Sequence, residues 1–400
     1  MSFDKKEYLK DQYCDKYNAN VVKCTKNKNE QYEVILDKTI FYPHLSGGQP
    51  RDFGTIDGIE VLNVYEDENE EIIHVLGSKV SGSVQLSIDF KRRFDHMQQH
   101  TGQHILSGVF YRRYNGKTIG FHLGDEYTTI DLDLQNITKE IMEQVELECN
   151  SIIHSNINVD TKVLDFQGAI EYGVRKYPEG QELIRAVKIG DKDCVACCGT
   201  HVNTTGEIGI VKVVKWEKYK NGTRVEFLCG ERAVKDYIVK NQILQELGNS
   251  FSCHTLDLID NIKKYKENAA NLQKKYSVLK DSMSKYIAKD LINTAVLKDN
   301  VNYIIHVFED ESIKDVRHIA TNIVKEDDVV CAFIIKNSAD CSLLFAQSKN
   351  VDIDILSCFN QCVELTGARG GGNSKLVQAT SPDNTRVDEC YYLISNYFFG

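Results

Sequence analysis

Up to about residue 90 the apolar positions fall in short runs of strand length: "YEVILDKTIFY", "TIDGIEVLNVY", "EIIHVLG" and "SVQLSIDF", separated by Asp, Gly and Ser. Such runs, bounded by turn residues, predict a small β-barrel over residues 1–90. Between them "FYPHLSGGQPRDFGTI" holds two of the four prolines and the Gly47–Gly48 pair, and predicts a structured loop. From 91 to 240 helix and strand patterns mix. Residues 256 to 289, within a linker of 241–289, predict one long helix. There Leu258, Ile262, Tyr265, Ala269, Leu272, Tyr276, Leu279, Met283 and Tyr286 recur at steps of four and three, a heptad seam with lysines on the outer faces. A lone helix of that length would expose this seam, so it must pack on the C-terminal domain, another helix of the chain or a second subunit. From 290 to 400 strands ("NYIIHVF", "VVCAFIIK", "SLLFAQ") alternate with helices, and "TGARGGGNSKLVQA" predicts a glycine-rich turn. The fold class is α+β and multidomain: barrel, mixed α/β domain, coiled helical segment, C-terminal α/β domain.

Composition narrows the setting. At 400 residues the chain can bury several cores, and its 42% hydrophobic and 26% charged residues are ordinary for a globular protein. No apolar run reaches bilayer length, and "MSFDKKEYLKDQYCDKY" lacks the apolar core of a signal peptide, so no membrane association and a cytoplasmic location are expected. The 13 cysteines are irregularly spaced and read as reduced thiols, one or two of them serving a metal. With a net charge of −10, contact with nucleic acid would have to come from local basic patches.

The unusual chemistry lies in the second stretch. "HMQQHTGQH" sets His96, His100 and His104 at steps of four, nearly on one face of a helix. Two at a step of four can hold one metal ion, three span more than one site needs, and the spacing alone does not choose the pair. "CVACCGTHV" sets Cys197 and His201 four apart. Two imidazoles, a thiolate and one further ligand or water make a zinc set. Alternatively, Cys194 and Cys197 form a redox pair or half of a structural zinc site, although the chain holds no second C-x-x-C. A single His pair at this spacing is ordinarily an exposed helix face. Two such pairs, each followed by a compact turn, favour zinc.

"HTGQHILSG" together with "CCGTHV" resembles the H-T-x-x-H and C-x-G-T-H pair of the alanyl-tRNA synthetase editing domain, which also occurs free-standing in the AlaX-type alanyl-tRNA editing proteins. "FYPHLSGGQPRDFGTI" is similar to the family's glycine-rich stretch, "TGEIGIVKVVKWEKYKNGTRVEFLCG" to the region after its second motif, and the helix plus "GARGGGNSKLVQA" to the synthetase C-terminal domain. The four motifs keep the family's order and cover nearly the whole chain.

The resemblance implies one Zn2+ on His100, His104, Cys197 and His201, with His96 a bystander. Gly102 and Gln103 replace the family's usual Ala-Thr, and Cys198 replaces a glycine, leaving Cys194 and Cys198 as reserve ligands. It implies hydrolysis of tRNA(Ala) wrongly charged with serine or glycine, without ATP-dependent activation, since the aminoacylation domains of a synthetase are missing. Thr101, Gln103 and His122 are the catalytic candidates that would read the serine hydroxyl, with a satisfied core histidine as the equal reading of His122. Asp95, Gln98 and Gln99 read as a solvated helix face. For tRNA, the basic patches offer Arg92, Arg93, Arg112, Arg113, Lys215 and Lys218, and the glycine run offers Arg369 and Lys375. Homodimerisation through the helical seam is expected. The rival readings are a zinc hydrolase acting on another substrate and a non-catalytic zinc-containing RNA-binding or regulatory module.

Overall fold

The computed structural model describes residues 4–44, 48–175 and 182–400; Gly47 and the rest of residues 45–47 in the glycine-rich loop lie outside them. The chain divides into two compact units, Met1–Glu246 and Leu247–Gly400.

The first unit opens with a short helix α1 (Glu7–Lys10), followed by strands β1 (Lys16–Lys26), β2 (Tyr32–Leu36), β3 (Gly54–Ile56), β4 (Ile59–Glu66), β5 (Ile72–Leu76) and β6 (Ser83–Ile88). They form a closed six-stranded barrel of order β1-β2-β5-β4-β3-β6, shut where Lys16 of β1 pairs with Ser87 of β6. Val34, Leu36, Ile56, Val64, Leu76 and Leu86 fill its core. Strand β1 was not legible beforehand because only Ala19 of its eleven residues is buried, leaving no alternation to read.

Helix α2 (Phe90–Tyr114) starts at Asp89, whose carboxylate accepts the Arg92 N–H, and ends at Asn115 in the left-handed conformation. Every residue from His96 to Phe110 is buried, so this helix runs through the core rather than along its surface. Around it lie β7 (Thr118–Leu123), β8 (Thr128–Leu132), α3 (Lys139–His154), β9 (Val159–Asp165), α4 (Phe166–Tyr172), β10 (Leu183–Ile189), β11 (Asp193–Ala196), β12 (Val211–Tyr219), β13 (Gly222–Cys229) and α5 (Gly230–Ser250). The strands form antiparallel sheets of order β12-β13-β8-β7 and β11-β10-β9. Met97, Ile105, Val109 and Phe110 of α2 share one apolar cluster with Ile130 of β8 and Phe227 of β13.

The second unit holds α6 (Leu258–Asn293), β14 (Val296–Lys298), β15 (Val301–Glu309), α7 (Ile313–Ile323), β16 (Val329–Lys336), β17 (Cys341–Gln347), α8 (Ile355–Thr366), β18 (Arg369–Asn373), β19 (Leu376–Ser381) and α9 (Val387–Phe399). Its six-stranded sheet has the order β14-β15-β16-β17-β19-β18, parallel only between β15 and β16. One apolar cluster joins it to α6 and α7, another to α8 and α9. Helix α6 docks through Ser284, Ala288 and Leu291, while seam residues Tyr265, Leu272, Tyr276, Leu279, Met283 and Tyr286 are exposed. The glycine run is a correction: Arg369–Asn373 is the edge strand β18, not a turn. Its glycines permit close pairing, since a Cβ on Gly370 would lie 2.1 Å from the Gln378 carbonyl oxygen and one on Gly372 2.2 Å from that of Leu376. No described helix is long and apolar enough to cross a membrane.

Candidate metal centre

Helix α2 presents His100 and His104 one turn apart, and the loop leaving β11 brings Cys197 and His201 against them. The four donors lie within 4.8 Å of one another. Cys197 Sγ stands 3.3 Å from Nε2 of both His100 and His201. Zinc bonds to nitrogen and sulfur meeting at a tetrahedral angle would place such a pair about 3.6 Å apart, so the cluster fits that ion closely. The outward nitrogens agree with this orientation. His100 Nδ1 faces Gln49 Oε1 at 3.3 Å and His201 Nδ1 faces Thr101 Oγ1 at 3.1 Å. Thr101 Oγ1 donates to the Met97 carbonyl, leaving its lone pairs for His201 Nδ1–H and the Val202 N–H. His104 Nδ1 is buried without a hydrogen-bond partner among the described residues.

The loop is shaped by contacts that leave little tolerance. A Cβ on Gly199 would sit 2.0 Å from His100 Cε1, so only glycine lets the loop close on the imidazole. Arg185 Nη1 donates to the carbonyls of Cys197 and Gly199 at 2.8 and 2.9 Å, and the Cys197 N–H donates to the Arg185 carbonyl at 2.9 Å. Gln49, from the barrel's glycine-rich loop, accepts the Thr200 N–H at 3.1 Å. Gln12 Oε1 accepts the His201 N–H. Segments around residues 12, 49, 100 and 200 therefore meet at one point.

Burial sets the protonation of the donors. Desolvation, assisted by the Arg185 charge, lowers the His100 imidazole to about 3. His104 and His201 are held well below the usual histidine range, again chiefly by burial. Burial pushes the Cys197 thiol up to about 11. Three neutral imidazoles thus offer free lone pairs, while the thiol gives up a proton when a cation takes its place. Three nitrogens and one sulfur are donors that zinc accepts together.

The other expected site residues are placed as follows. Cys194 turns its thiol toward the Tyr172 carbonyl at 3.8 Å, and neither it nor Cys198 belongs to the four-donor cluster. His96 is buried outside the cluster, both ring nitrogens lacking partners among the described residues. Gln103 is buried, its Nε2 donating to Ser107 Oγ at 2.7 Å. His122 is exposed, because strand alternation turns its neighbour Phe121 inward, where that ring stacks on His100 at 5.1 Å. It is therefore not a core histidine. Asp95, Gln98 and Gln99 are not a solvated face. Gln99 bonds both backbone groups of Cys229, Gln98 donates to the Glu207 carbonyl, and Asp95 pairs with Arg232.

Among the basic candidates, Arg93 is a correction: it is fully buried and ion-paired with Asp52, so its guanidinium does not reach a phosphate. Arg92 pairs with Asp125, Arg112 and Arg113 with Glu148, and Lys215 with Glu217, all at least partly exposed. Lys218 and Arg369 are exposed, while Lys375 Nζ donates to the Val351 carbonyl. Sequence reasoning missed Gln49, Asp52, Phe121, Arg185 and Gln12. Gln49 and Asp52 did lie inside the glycine-rich motif, which was the one signal available.

Residues 184–226 match the family described as "Threonyl and Alanyl tRNA synthetase second additional domain". Over 387 residues the chain is 33% identical to alanyl-tRNA editing protein AlaX-L of Pyrococcus horikoshii, covering 93% of each. It is 31% identical over 302 residues to alanyl-tRNA editing protein Aarsd1 of Bos taurus, covering 71% of this chain and 68% of that one. To an alanine–tRNA ligase of Pyrococcus abyssi it is 26% identical over 399 residues, which span 96% of this chain and 42% of the ligase.

Proposed function

Because the chain belongs to the AlaX-type alanyl-tRNA editing proteins, we propose that it deacylates tRNA(Ala) mischarged with serine, and with glycine, using one Zn2+ held by His100, His104, Cys197 and His201. The buried four-donor cluster carries this reading, since its donors converge from distant segments in a chain of this family. When bound, the ion supplies polarisation of the ester carbonyl or anchoring of the substrate. The protein's own residues do the rest. Thr101 fixes the ring of His201, and Gln49 that of His100. Gln103, with its amide nitrogen held by Ser107, offers Oε1 to the serine hydroxyl. Alanine has no hydroxyl to fill that acceptor, and sites built to hydrogen-bond a substrate hydroxyl discriminate strongly against analogues lacking it.

On this reading the protein works in the cytoplasm. The editing region takes the acceptor end near Arg92, Arg112, Arg113, Lys215 and Lys218, and the C-terminal unit around Arg369 and Lys375 holds the tRNA body. The exposed seam of α6 pairs two copies into a homodimer; a monomer mass by light scattering at micromolar concentration would remove that part.

Deacylation assays with seryl-, glycyl- and alanyl-tRNA(Ala) test the function. Seryl-tRNA should be hydrolysed, alanyl-tRNA spared, and both zinc content and turnover lost in His104→Ala. One observation favours a second reading. Four protein donors are available in the cluster, the number that structural zinc sites use, whereas catalytic sites usually supply three and keep a position open. Tight tRNA binding with no turnover of any charged form would establish that non-catalytic module.

A further inference from the structure

Of the three histidines in the cluster, His104 is the one whose outward nitrogen has no hydrogen-bond partner among the described residues. Its Nδ1 is fully buried, and a buried donor left without an acceptor is costly. The nearest charged oxygen is Oδ2 of Asp193, 3.9 Å away, with both side chains almost completely enclosed. Three features bring that carboxylate there. Asp193 begins β11, the strand that leads directly into the Cys197 loop. Gly108 lies one turn beyond His104 on α2, and a Cβ there would stand 3.1 Å from both Asp193 Cβ and the Lys192 carbonyl oxygen, so the missing side chain makes room for β11. Arg175 holds the carboxylate in place, its Nε donating to Oδ1 at 2.7 Å and its Nη2 to Oδ2 at 3.4 Å, and its guanidinium lies over the Tyr111 ring.

From this geometry we propose that Asp193 is a positioning residue for the metal centre. From 3.9 Å its Oδ2 attracts the Nδ1–H of His104, and a small approach on metal binding would close the hydrogen bond that fixes the tautomer and ring orientation turning Nε2 toward the ion. The proposal rests on the metal-bearing reading above. The other two histidines already have such partners, Gln49 and Thr101, both neutral. Asp193 is the only charged member of the set, and a carboxylate behind a ligating imidazole raises the basicity of that ligand. Arg175 neutralises the buried carboxylate from its far edge, with Nη2 3.4 Å from Oδ2, so that oxygen lies between the guanidinium and the His104 ring.

A purely structural Arg175–Asp193 ion pair is the competing explanation, and substitutions in the full-length chain separate the two. Zinc affinity is measured by competition with a chromophoric chelator, and the ligand field by the visible spectrum of the cobalt-substituted protein. Asp193→Leu, which removes the acceptor, should weaken zinc by roughly 10- to 100-fold and shift the cobalt bands. Asp193→Asn keeps an oxygen acceptor and should lose less. Arg175→Met removes the ion pair but keeps the carboxylate as acceptor, and should lose clearly less affinity than Asp193→Leu, with a smaller shift of the cobalt bands. Wild-type affinity in Asp193→Leu, or an equal loss in Arg175→Met, overturns the proposal. Should Asp193→Leu not fold, Asp193→Asn decides: weaker zinc with a shifted spectrum supports the role, and no change in either refutes it. Failure of the unmodified protein to bind zinc at all would instead remove the metal reading itself.

Discussion

Arg93 and Arg92 are neighbours in sequence, and truncating each should have very different consequences. The Arg93 guanidinium is fully enclosed. It meets both oxygens of Asp52 and donates to the carbonyls of Gln12 and Ile40 at 3.1 and 2.6 Å. Arg93→Ala leaves a buried carboxylate without its counter-charge and two carbonyls without donors. Breaking a buried pair from one side costs about 3–5 kcal/mol, a large share of a domain's total stability of about 5–15 kcal/mol. Arg92 pairs with an Asp125 that is mostly exposed, and pairs of that kind contribute about 0–1 kcal/mol. The chain's single tryptophan, Trp216, lies on β12 in the first unit, so its fluorescence during urea titration reports the unfolding of that unit alone. With a urea slope of about 3 kcal/mol per molar, Arg93→Ala should lower the midpoint by at least about 1 M, and Arg92→Ala by less than about 0.3 M. The double variant Arg93→Met/Asp52→Leu removes both charges at similar volume and should recover most of the loss. An Arg93→Ala shift no larger than that of Arg92→Ala would refute the assignment of a buried, uncompensated charge.

Thr101→Val keeps the shape of the side chain but removes the oxygen facing His201 Nδ1, and should weaken zinc by about 10-fold or more in a chelator competition. Gly199→Ala should deplete zinc while far-ultraviolet circular dichroism stays unchanged, because its Cβ would collide with the His100 ring; full zinc content would contradict that. His74 gives the barrel a pH dependence: it is buried between Thr39 and the Val34 carbonyl, and burial lowers its imidazole to about 4. Since the unfolded chain holds this proton more tightly, the stabilisation is complete above about pH 6.5 and is lost as pH falls toward 4, by about 1.4 kcal/mol per unit at most. Urea midpoints of His74→Gln should lack this component, and an identical pH slope in both proteins would refute it.

What was legible in the sequence follows from which physical signals are local. The barrel was readable because its later strands carry short apolar runs between turn residues. Its first strand was not, because in β1 one buried alanine serves a whole strand. The four clustered donors were readable because helix and loop spacing marked the His and Cys candidates and the family resemblance chose His100 and His104 over His96. The partner of His100 was not, because Gln49 comes from a distant segment and nothing in its spacing joins it to the helix, whereas Thr101 lies inside the motif but was read as a substrate contact rather than as the partner of His201. Gln98 and Gln99 were misread for a related reason. A polar residue inside a helix normally marks the solvent side, but α2 crosses the core, and its glutamines satisfy the ends of other elements. A pattern of polar positions gives the direction of water only where water is the alternative partner.

The same connectivity bears on whether Met1–Glu246 can be divided. A boundary at residue 90 falls between the last barrel strand and α2, a natural place by sequence pattern. Cutting there would separate Asp52 from Arg93, Gln49 from His100 and Thr200, and Gln12 from His201. The first of these is a fully buried ion pair, and the others hold the backbone and one ring of the metal cluster. A fragment beginning at residue 91 would thus carry all four donors and still lack the groups that hold two of the imidazoles in register. Gln49 and Gln12 belong to the surroundings of the four-donor cluster as much as to the barrel. Within Met1–Glu246, the stability of the barrel and the affinity for the ion should therefore vary together.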